Sequence, residues 1–156
     1  MNIPLILLST ALAVTTTSCI HKNNSENTSS NITTAVQQQK IEQVQLIERT
    51  RGFSRSIVVT PSSKASNINE EITNTKLSPA EWQAVSQLAG NIDLSKISDL
   101  KAPTTGRHSD RAMIASMIIT SGGKEYTSSD FDSGNPPKEL EALYNVINGP
   151  KKTETQ

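Results

Sequence analysis

Two segments of the chain carry hydrophobic residues at the spacing of an α-helix, and they are the clearest elements in the sequence. In the first, Ser78-Pro79-Ala80-Glu81 has the form of a capping box with proline at the first helical position, which predicts a helix over residues 79–89. We expect Gly90 to end this helix in a left-handed conformation. The predicted apolar face comprises Trp82, Val85, Leu88 and Ala89.

The second helical segment follows Asn135-Pro136-Pro137, and its pattern predicts a helix over residues 136–148 that ends at Gly149-Pro150. Asn135 is the expected N-cap, because a residue before proline favours the extended dihedral angles that a cap adopts. The predicted apolar face comprises Leu140, Leu143, Tyr144 and Ile147. Between the two helices, residues 93–100 are expected to form a further short turn or helix.

A β-hairpin is predicted from the apolar run 112–120, the turn signal Gly122-Gly123 and a returning strand over 125–131. Counting outward from this turn gives the facing pairs Ile119 with Tyr126, Met117 with Ser128, Ala115 with Asp130, and Ile114 with Phe131. We expect the helices to pack on the face formed by Met113, Ala115, Met117, Ile119 and Tyr126.

An earlier hairpin is predicted from residues 41–50 and 53–60, joined by a turn at Arg51-Gly52, with a further short strand near 65–72. Together these elements predict an α+β fold, an antiparallel sheet of about four or five strands with two helices at about 79–89 and 136–148. We expect this single domain to span residues 41–148.

The beginning of the chain has the pattern of an export signal. Residues 1–19 contain no charged side chain, and the apolar run from Leu5 to Val14 is shorter than the roughly 20 residues that a membrane-spanning helix needs. The stretch Thr16-Thr17-Ser18-Cys19 resembles the lipobox of bacterial lipoproteins. That resemblance implies cleavage of a 1–18 signal peptide and attachment of a diacylglycerol to Cys19. The alternative is an ordinary secretory signal, after which the protein is secreted.

Polar segments flank the predicted domain. Asn, Ser, Thr and Gln fill 13 of the 21 positions from 20 to 40, a composition that buries too little apolar surface to order the chain. We therefore expect residues 19–40 to be a lipidated cysteine followed by a flexible tether, and residues 149–156 to be a disordered tail.

Composition excludes several classes of protein. The 15 basic and 15 acidic residues balance, so the chain does not have the charge of a general nucleic-acid binder. With one cysteine and two histidines, neither a disulfide framework nor a structural metal site is expected, and no cofactor is implied. Arg49, Arg51, Arg55 and Lys64 make the early hairpin basic, a pattern typical of a solvated face.

The densest group of titratable residues is predicted at one rim of the domain. Because the turn at Gly122-Gly123 is one end of the later hairpin, the loop 101–110 and the loop 130–135 should meet at its other end. The candidate binding rim comprises Arg107, His108, Asp110, Arg111, Asp130, Asp132 and Asn135. These side chains are more typical of ion pairs and caps that hold two loops together than of a functional site. The sequence contains no G-x-S-x-G, H-E-x-x-H, P-loop or G-x-G-x-x-G pattern.

Four stretches carry a resemblance to a family. They are Thr50-Arg51-Gly52-Phe53, Leu77-Ser78-Pro79-Ala80-Glu81-Trp82, Asp99-Leu100-Lys101-Ala102-Pro103-Thr104 and residues 126–137. The chain resembles small uncharacterised lipoproteins of Bacteroidota-type bacteria, over about residues 41–148. The resemblance implies a setting in the bacterial cell envelope, facing the periplasm or the cell surface, and no particular reaction.

These observations favour a non-enzymatic binding or structural module, tethered to a membrane through acyl chains on Cys19. Its expected partner is an envelope protein or a small ligand, held at the rim, and not a nucleic acid. One alternative is a small envelope hydrolase that uses His108 with Asp110 or Asp130 as acid–base groups. Another is a module that only spaces or plugs other components.

Overall fold

The computed structural model describes residues 40–109 and 112–149, and they form an α+β fold, as predicted. The strands are β1 (Ile41–Thr50), β2 (Phe53–Val59), β3 (Ser63–Ile68), β4 (Glu71–Lys76), β5 (Ile114–Ser121), β6 (Lys124–Thr127) and β7 (Phe131–Asp132). The helices are α1 (Pro79–Gly90) and α2 (Lys138–Asn148), and two 3₁₀ helices, Leu94–Asp99 and Gly106–His108, separate α1 from β5. The sheet thus has seven strands where four or five were predicted.

All strand pairs are antiparallel, in the order β4-β3-β2-β1-β5-β6, with β7 beside β5. The β1–β2 hairpin is confirmed, with Thr50 opposite Phe53 across the Arg51-Gly52 turn. On its other edge β1 pairs with β5, which comes about 70 residues later in the chain, so that Leu46 lies opposite Met117. This long-range pairing makes β1 a central strand of the sheet.

Both helices pack on one face of the sheet. Val44 and Leu46 of β1 alternate inward with Met117 and Ile119 of β5, and all four are buried. The predicted apolar face of α2 is confirmed in full, because Leu140, Leu143, Tyr144 and Ile147 are all buried. Of the predicted α1 face, Val85 and Ala89 are buried, and Trp82 and Leu88 pack half-buried against the core.

The predicted start of α1 is confirmed, whereas the predicted end of α1 and the predicted cap of α2 are wrong. The capping box is present, since the Ser78 hydroxyl accepts from the Glu81 N–H at 3.3 Å and the Glu81 carboxylate accepts from the Ser78 N–H at 2.8 Å. The expectation for Gly90 is wrong, because it is the last helical residue and Asn91 caps the helix in a right-handed conformation. The prediction of Asn135 as a cap is also wrong.

Asn135 does not cap α2 because it belongs to the preceding turn. Its N–H donates to the Asp132 carbonyl at 2.8 Å, which closes a turn after β7. The chain then extends through Pro136 and Pro137, and α2 begins at Lys138 with Pro137 at the cap position. Two consecutive prolines thus postpone the helix by two residues, since a residue that precedes proline is biased away from helical dihedral angles.

The register of the later hairpin changes after Thr127, which corrects part of the prediction. Ile119 lies opposite Tyr126 as expected, but Ala115 faces Phe131 and Ile114 faces Asp132, one residue beyond the predicted partners. Ser128 causes the change: its N–H donates to the Met117 carbonyl at 2.8 Å and its hydroxyl accepts from the Met117 N–H at 3.0 Å. The regular ladder between β5 and β6 ends there, and one extra residue precedes the first pair between β5 and β7.

The shift in register decides which side chains enter the core. Phe131 comes onto the face of Ala115, where it is fully buried and meets the ring of Tyr144 edge-on, with centroids 5.9 Å apart. Of the predicted helix-packed face, Ala115, Met117 and Ile119 are buried, while Met113 and Tyr126 are half-buried.

The expected strand near 65–72 is in fact two strands, β3 and β4, joined by a tight turn at Asn69-Glu70. Both turn residues have positive φ angles, 46° and 76°, as a type I′ hairpin turn requires. All six residues of β4 are exposed, and the hairpin extends the sheet past the helices. Its side chains are mostly polar, so no apolar stripe marks it in the sequence.

Replacing Glu70 with Gly is expected to raise the free energy of unfolding by about 1 kcal/mol, because glycine removes the steric cost of the left-handed conformation. Urea unfolding followed by the fluorescence of Trp82, the single tryptophan, measures the change. Glu71→Gly is the matched control: it lies in β4 with ordinary strand geometry, and there glycine should reduce stability. Equal effects of the two substitutions would contradict the turn geometry.

Candidate functional site

The two loops that were predicted to meet do so through the side chain of Asp132. Its carboxylate, which is buried, accepts hydrogen bonds from the Thr104 hydroxyl, from the Gly106 N–H at 2.8 Å and from the Arg107 N–H. A Cβ on Gly106 would lie 3.2 Å from Asp132 Oδ2, so glycine allows this close approach. The hydroxyl of Ser129 adds a second link by donating to the Leu100 carbonyl.

Asp132 therefore acts as the anchor of the 104–107 loop. The Thr104 hydroxyl, followed by the main-chain N–H groups of Arg107 and Gly106, lowers the pKa of the Asp132 carboxyl below its ordinary value. The negative charge is thus stabilised by donors that all come from one loop. This position belongs to the predicted binding rim, and here the side chain holds two connections together.

Protonation or neutralisation of Asp132 is expected to loosen this loop. Because its pKa is lower in the folded protein than in the unfolded chain, its contribution is complete above the ordinary aspartate range and is lost as pH falls through the folded-state value. In Asp132→Asn, the N–H groups of Gly106 and Arg107 should exchange with deuterium several-fold faster at neutral pH. Asp99→Asn is the control, since it is exposed and outside this loop. Unchanged exchange rates would contradict the anchor role.

The remaining rim residues are not gathered into one site. Arg107 donates from Nη1 to the Thr104 carbonyl at 2.5 Å, and Asp130 pairs with Arg49 at 3.3 Å. His108 is exposed, and within the described residues its ring has no hydrogen bond to a carboxylate. The structure therefore does not join His108 to Asp130 as an acid–base pair. Asp110 and Arg111 lie outside the described residues, as do Cys19, the predicted signal peptide, residues 19–39 and residues 150–156.

Three arginines line one shallow depression beside this loop, at the end of the sheet where β1 ends and β5 begins. Its volume is about 270 Å³, and its walls are formed by Arg49, Thr50, Arg51, Arg107, Ser109, Ala112 and Ile114. Arg49 lies near the end of β1 and Arg51 in the β1–β2 turn, whereas Arg107 comes from the loop that Asp132 anchors. The only carboxylate paired with these arginines among the described residues is Asp130, and that ion pair is half-exposed.

A wider depression of about 740 Å³ lies across the same turn and shares Arg49 and Thr50 with the first. Its polar side chains are already engaged in holding the turns: the Asn69 side chain accepts from the Ser54 N–H at 2.9 Å, and the Asn67 side chain accepts from the Glu70 N–H at 2.9 Å. The first depression is lined by three arginines, whereas the wider one is lined by Arg49 and the acidic Glu70, so the arginine-lined depression is the better candidate for a binding site.

A buried polar cluster around Glu48, on the helix-covered face of the sheet, was not predicted. The Glu48 side chain is only 1% exposed. Its Oε2 pairs with the Arg55 guanidinium, and its Oε1 accepts from the Ser133 hydroxyl at 2.6 Å and from the Tyr144 hydroxyl at 2.8 Å. Arg55 also donates to the Asn148 side chain at 2.6 Å. Arg55 is therefore not part of a solvated face, as the sequence had indicated.

The Glu48 cluster ties four parts of the chain together: β1, β2, the turn after β7 and α2. Tyr144 is both donor and acceptor, because its oxygen also accepts from the Gly134 N–H at 2.9 Å. Burial, and after it the neighbouring Glu48 carboxylate, raises the pKa of the Tyr144 hydroxyl. The hydroxyl thus stays protonated and donating at neutral pH. Neither of the two depressions described above is lined by a residue of this cluster, and the contacts of the cluster are those of a group that positions structural elements.

The described residues hold no group of three or more side chains suited to a metal ion, and they include no helix long and apolar enough to cross a membrane. Comparisons with protein-family models, with curated proteins and with solved structures find no match to this chain.

Proposed function

We propose that this protein is a lipid-anchored binding module of the bacterial cell envelope, and that its domain binds an oxyanion in the depression lined by Arg49, Arg51 and Arg107. The observation that carries the proposal is that three arginines, from the β1–β2 hairpin and the 104–107 loop, line one depression. Guanidinium groups suit phosphate and carboxylate oxygens because their planar donors form paired hydrogen bonds with them.

The surroundings of the depression favour binding over structural pairing. The described part of the chain offers these three cations a single carboxylate partner, Asp130, whose pair with Arg49 is solvated and therefore weak. The Ser109 and Thr50 side chains at the walls add neutral hydrogen-bonding groups. Because the site is open to water, affinity for a small anion should be modest and should fall as salt rises.

The lipid anchor at Cys19 is proposed from the sequence alone. Cys19 is the only cysteine, and it stands at the junction between an uncharged apolar segment and a polar stretch, where lipoproteins carry their acyl groups. Two or more acyl chains hold a protein stably on a membrane without a spanning helix. Metabolic labelling with a radioactive or clickable fatty acid tests this part: wild type should incorporate the label and Cys19→Ala should not. Absence of label from wild type would overturn the anchor and leave the binding proposal standing.

The binding proposal is tested on the full chain carrying Cys19→Ala, by following amide chemical shifts during titration with inorganic phosphate. Shifts should concentrate at residues 49–51 and 106–109, and Arg51→Gln should weaken binding about tenfold, the loss expected for one charged hydrogen-bonding partner. Lys138→Gln, an exposed cation at the start of α2, is the matched control and should bind like the parent.

A second arm identifies the source of the anion. Flotation with vesicles of phosphatidylglycerol and phosphatidylcholine shows whether the same residues hold a lipid headgroup, and Arg51→Gln should then lose flotation. Binding of phosphate without flotation assigns the site to a soluble anion. Phosphate shifts that are equal in Arg51→Gln and the parent, together with no flotation, would refute the site.

A further inference from the structure

The outer edge of β4 is an exposed strand with free hydrogen-bonding groups. The Leu77 N–H donates to the Ser62 carbonyl at 3.0 Å, which sets the alternation of the β3–β4 ladder: Glu71, Thr73 and Thr75 bond to β3. The N–H and C=O groups of Ile72, Asn74 and Lys76 therefore point away from the sheet. Ile72 is 64% exposed, and no proline, bulge or covering element among the described residues blocks this edge.

The opposite edge of the sheet is different. β6 has only four residues, it contacts the 3₁₀ helix 94–99, and its Lys124 lies over the ring of Tyr126 at 5.0 Å. Short, charged and partly covered edges resist pairing with another strand. Of the two edges, β4 is thus the one that is open to a further strand.

Pairing of β4 with β4 of a second copy must satisfy two geometric conditions. Residues that face each other in antiparallel strands lie on the same side of the sheet, so only residues of equal parity can be opposite one another. The bonded pairs must also come from Ile72, Asn74 and Lys76, whose main-chain groups are free. A twofold axis perpendicular to the sheet can therefore pass through any one of the five residues from Ile72 to Lys76.

Charge selects among these five registers. With the axis at Thr73, Ile72 of each copy bonds to Asn74 of the other, and Lys76 of each copy comes beside Glu70 of the other, the turn residue that directly precedes β4. With the axis at Ile72 or at Asn74, Lys76 faces Ile68 or Ile72 instead. With the axis at Thr75 it faces Asn74, and with the axis at Lys76 it faces the like-charged Lys76 of the other copy. The Thr73 register also brings the two exposed Ile72 side chains into diagonal contact, and it sets Thr73 against itself, a favourable cross-strand pair.

We propose that this chain self-associates through β4, with the twofold axis at Thr73, so that two copies form one continuous antiparallel sheet. The interface is a single strand from each copy, smaller than the surfaces that hold permanent dimers, so the dimer exchanges with monomer. The proposal is independent of the arginine-lined depression, which lies at the end of β1 and keeps its access to solvent.

Disulfide trapping tests the register directly. The two Thr73 residues form a non-bonded pair, whose Cα atoms lie about 4.5 Å apart, within the range of a disulfide. The two Thr75 residues lie about 14 Å apart in this register, beyond that range. In the full chain carrying Cys19→Ser, Thr73→Cys should form a covalent dimer under mild oxidation, and Thr75→Cys should give at least tenfold less.

Equal or greater crosslinking of Asn74→Cys than of Thr73→Cys would overturn this register, and crosslinking of neither would overturn self-association through β4. Sedimentation velocity without added cysteines gives a second readout. Lys76→Glu should weaken association at least tenfold, and the charge swap Glu70→Lys with Lys76→Glu should restore it. An unchanged monomer at all concentrations, with full folding by circular dichroism, would refute the proposal.

Discussion

Replacing Arg55 with Met is expected to lower the free energy of unfolding by about 3 kcal/mol, a large share of the stability of a domain this size. The substitution leaves the Glu48 carboxylate, 1% exposed, with the Ser133 and Tyr144 hydroxyls as its remaining donors. A buried carboxylate without its cation bears most of its desolvation cost uncompensated. Urea unfolding followed by Trp82 fluorescence gives the value.

Two further variants separate the charge from the packing. Glu48→Gln combined with Arg55→Met keeps an acceptor for the two hydroxyls and removes the buried charge, so it should recover most of the lost stability. Arg51→Met removes an exposed arginine from the adjacent turn and should change stability by less than about 0.5 kcal/mol. If the double variant were as unstable as the single one, the loss would come from the packing of the Arg55 side chain.

Truncation of Phe131 to Ala should lower the free energy of unfolding by about 3–5 kcal/mol, because it leaves a cavity at a fully buried position that contacts Tyr144. The result depends on the register shift after Thr127, which brings Phe131 onto the helix-covered face. In the register predicted from the turn alone, Phe131 lies on the other face and its loss would matter little. Thermal and urea unfolding both report the change.

Asp130→Ala is the control for this prediction, because the simple register puts Asp130, and not Phe131, opposite Ala115. Asp130 forms only a half-exposed pair with Arg49, so its loss should change stability by less than about 1 kcal/mol. A larger effect from Asp130→Ala than from Phe131→Ala would contradict the shifted ladder.

Local patterns were sufficient where each element depends on its own residues. The face of α2 followed from the spacing of Leu140 to Ile147, and the start of α1 from Ser78 and Glu81, because capping and amphipathic burial act within a few residues. The β3–β4 hairpin escaped prediction because its stability comes from addition to the edge of β2, so its own side chains need no apolar stripe. The change after Thr127 rests on one Ser128 hydroxyl, which alternation cannot reveal.

The candidate site was predictable only where it depends on local patterns. The meeting of the 101–109 and 130–135 loops followed from one hairpin, whereas the addition of Arg49 and Arg51 required knowing that β1 lies beside β5. Part of the Glu48 cluster can be predicted from the sequence. Counting back from the Arg51-Gly52 turn places Glu48 opposite Arg55, on the same face as the buried Leu46.

The central position of β1 has a consequence for the order in which the molecule can fold. Its pairing with β5 joins Ile41 to Ser121, and closing so long a loop carries an entropy cost that only the finished core offsets. The meander from β1 to β4 can form as soon as it is synthesised, but one edge of β1 stays open until β5 follows. This arrangement therefore delays completion of the core until β5, and with it most of the polypeptide, has been made.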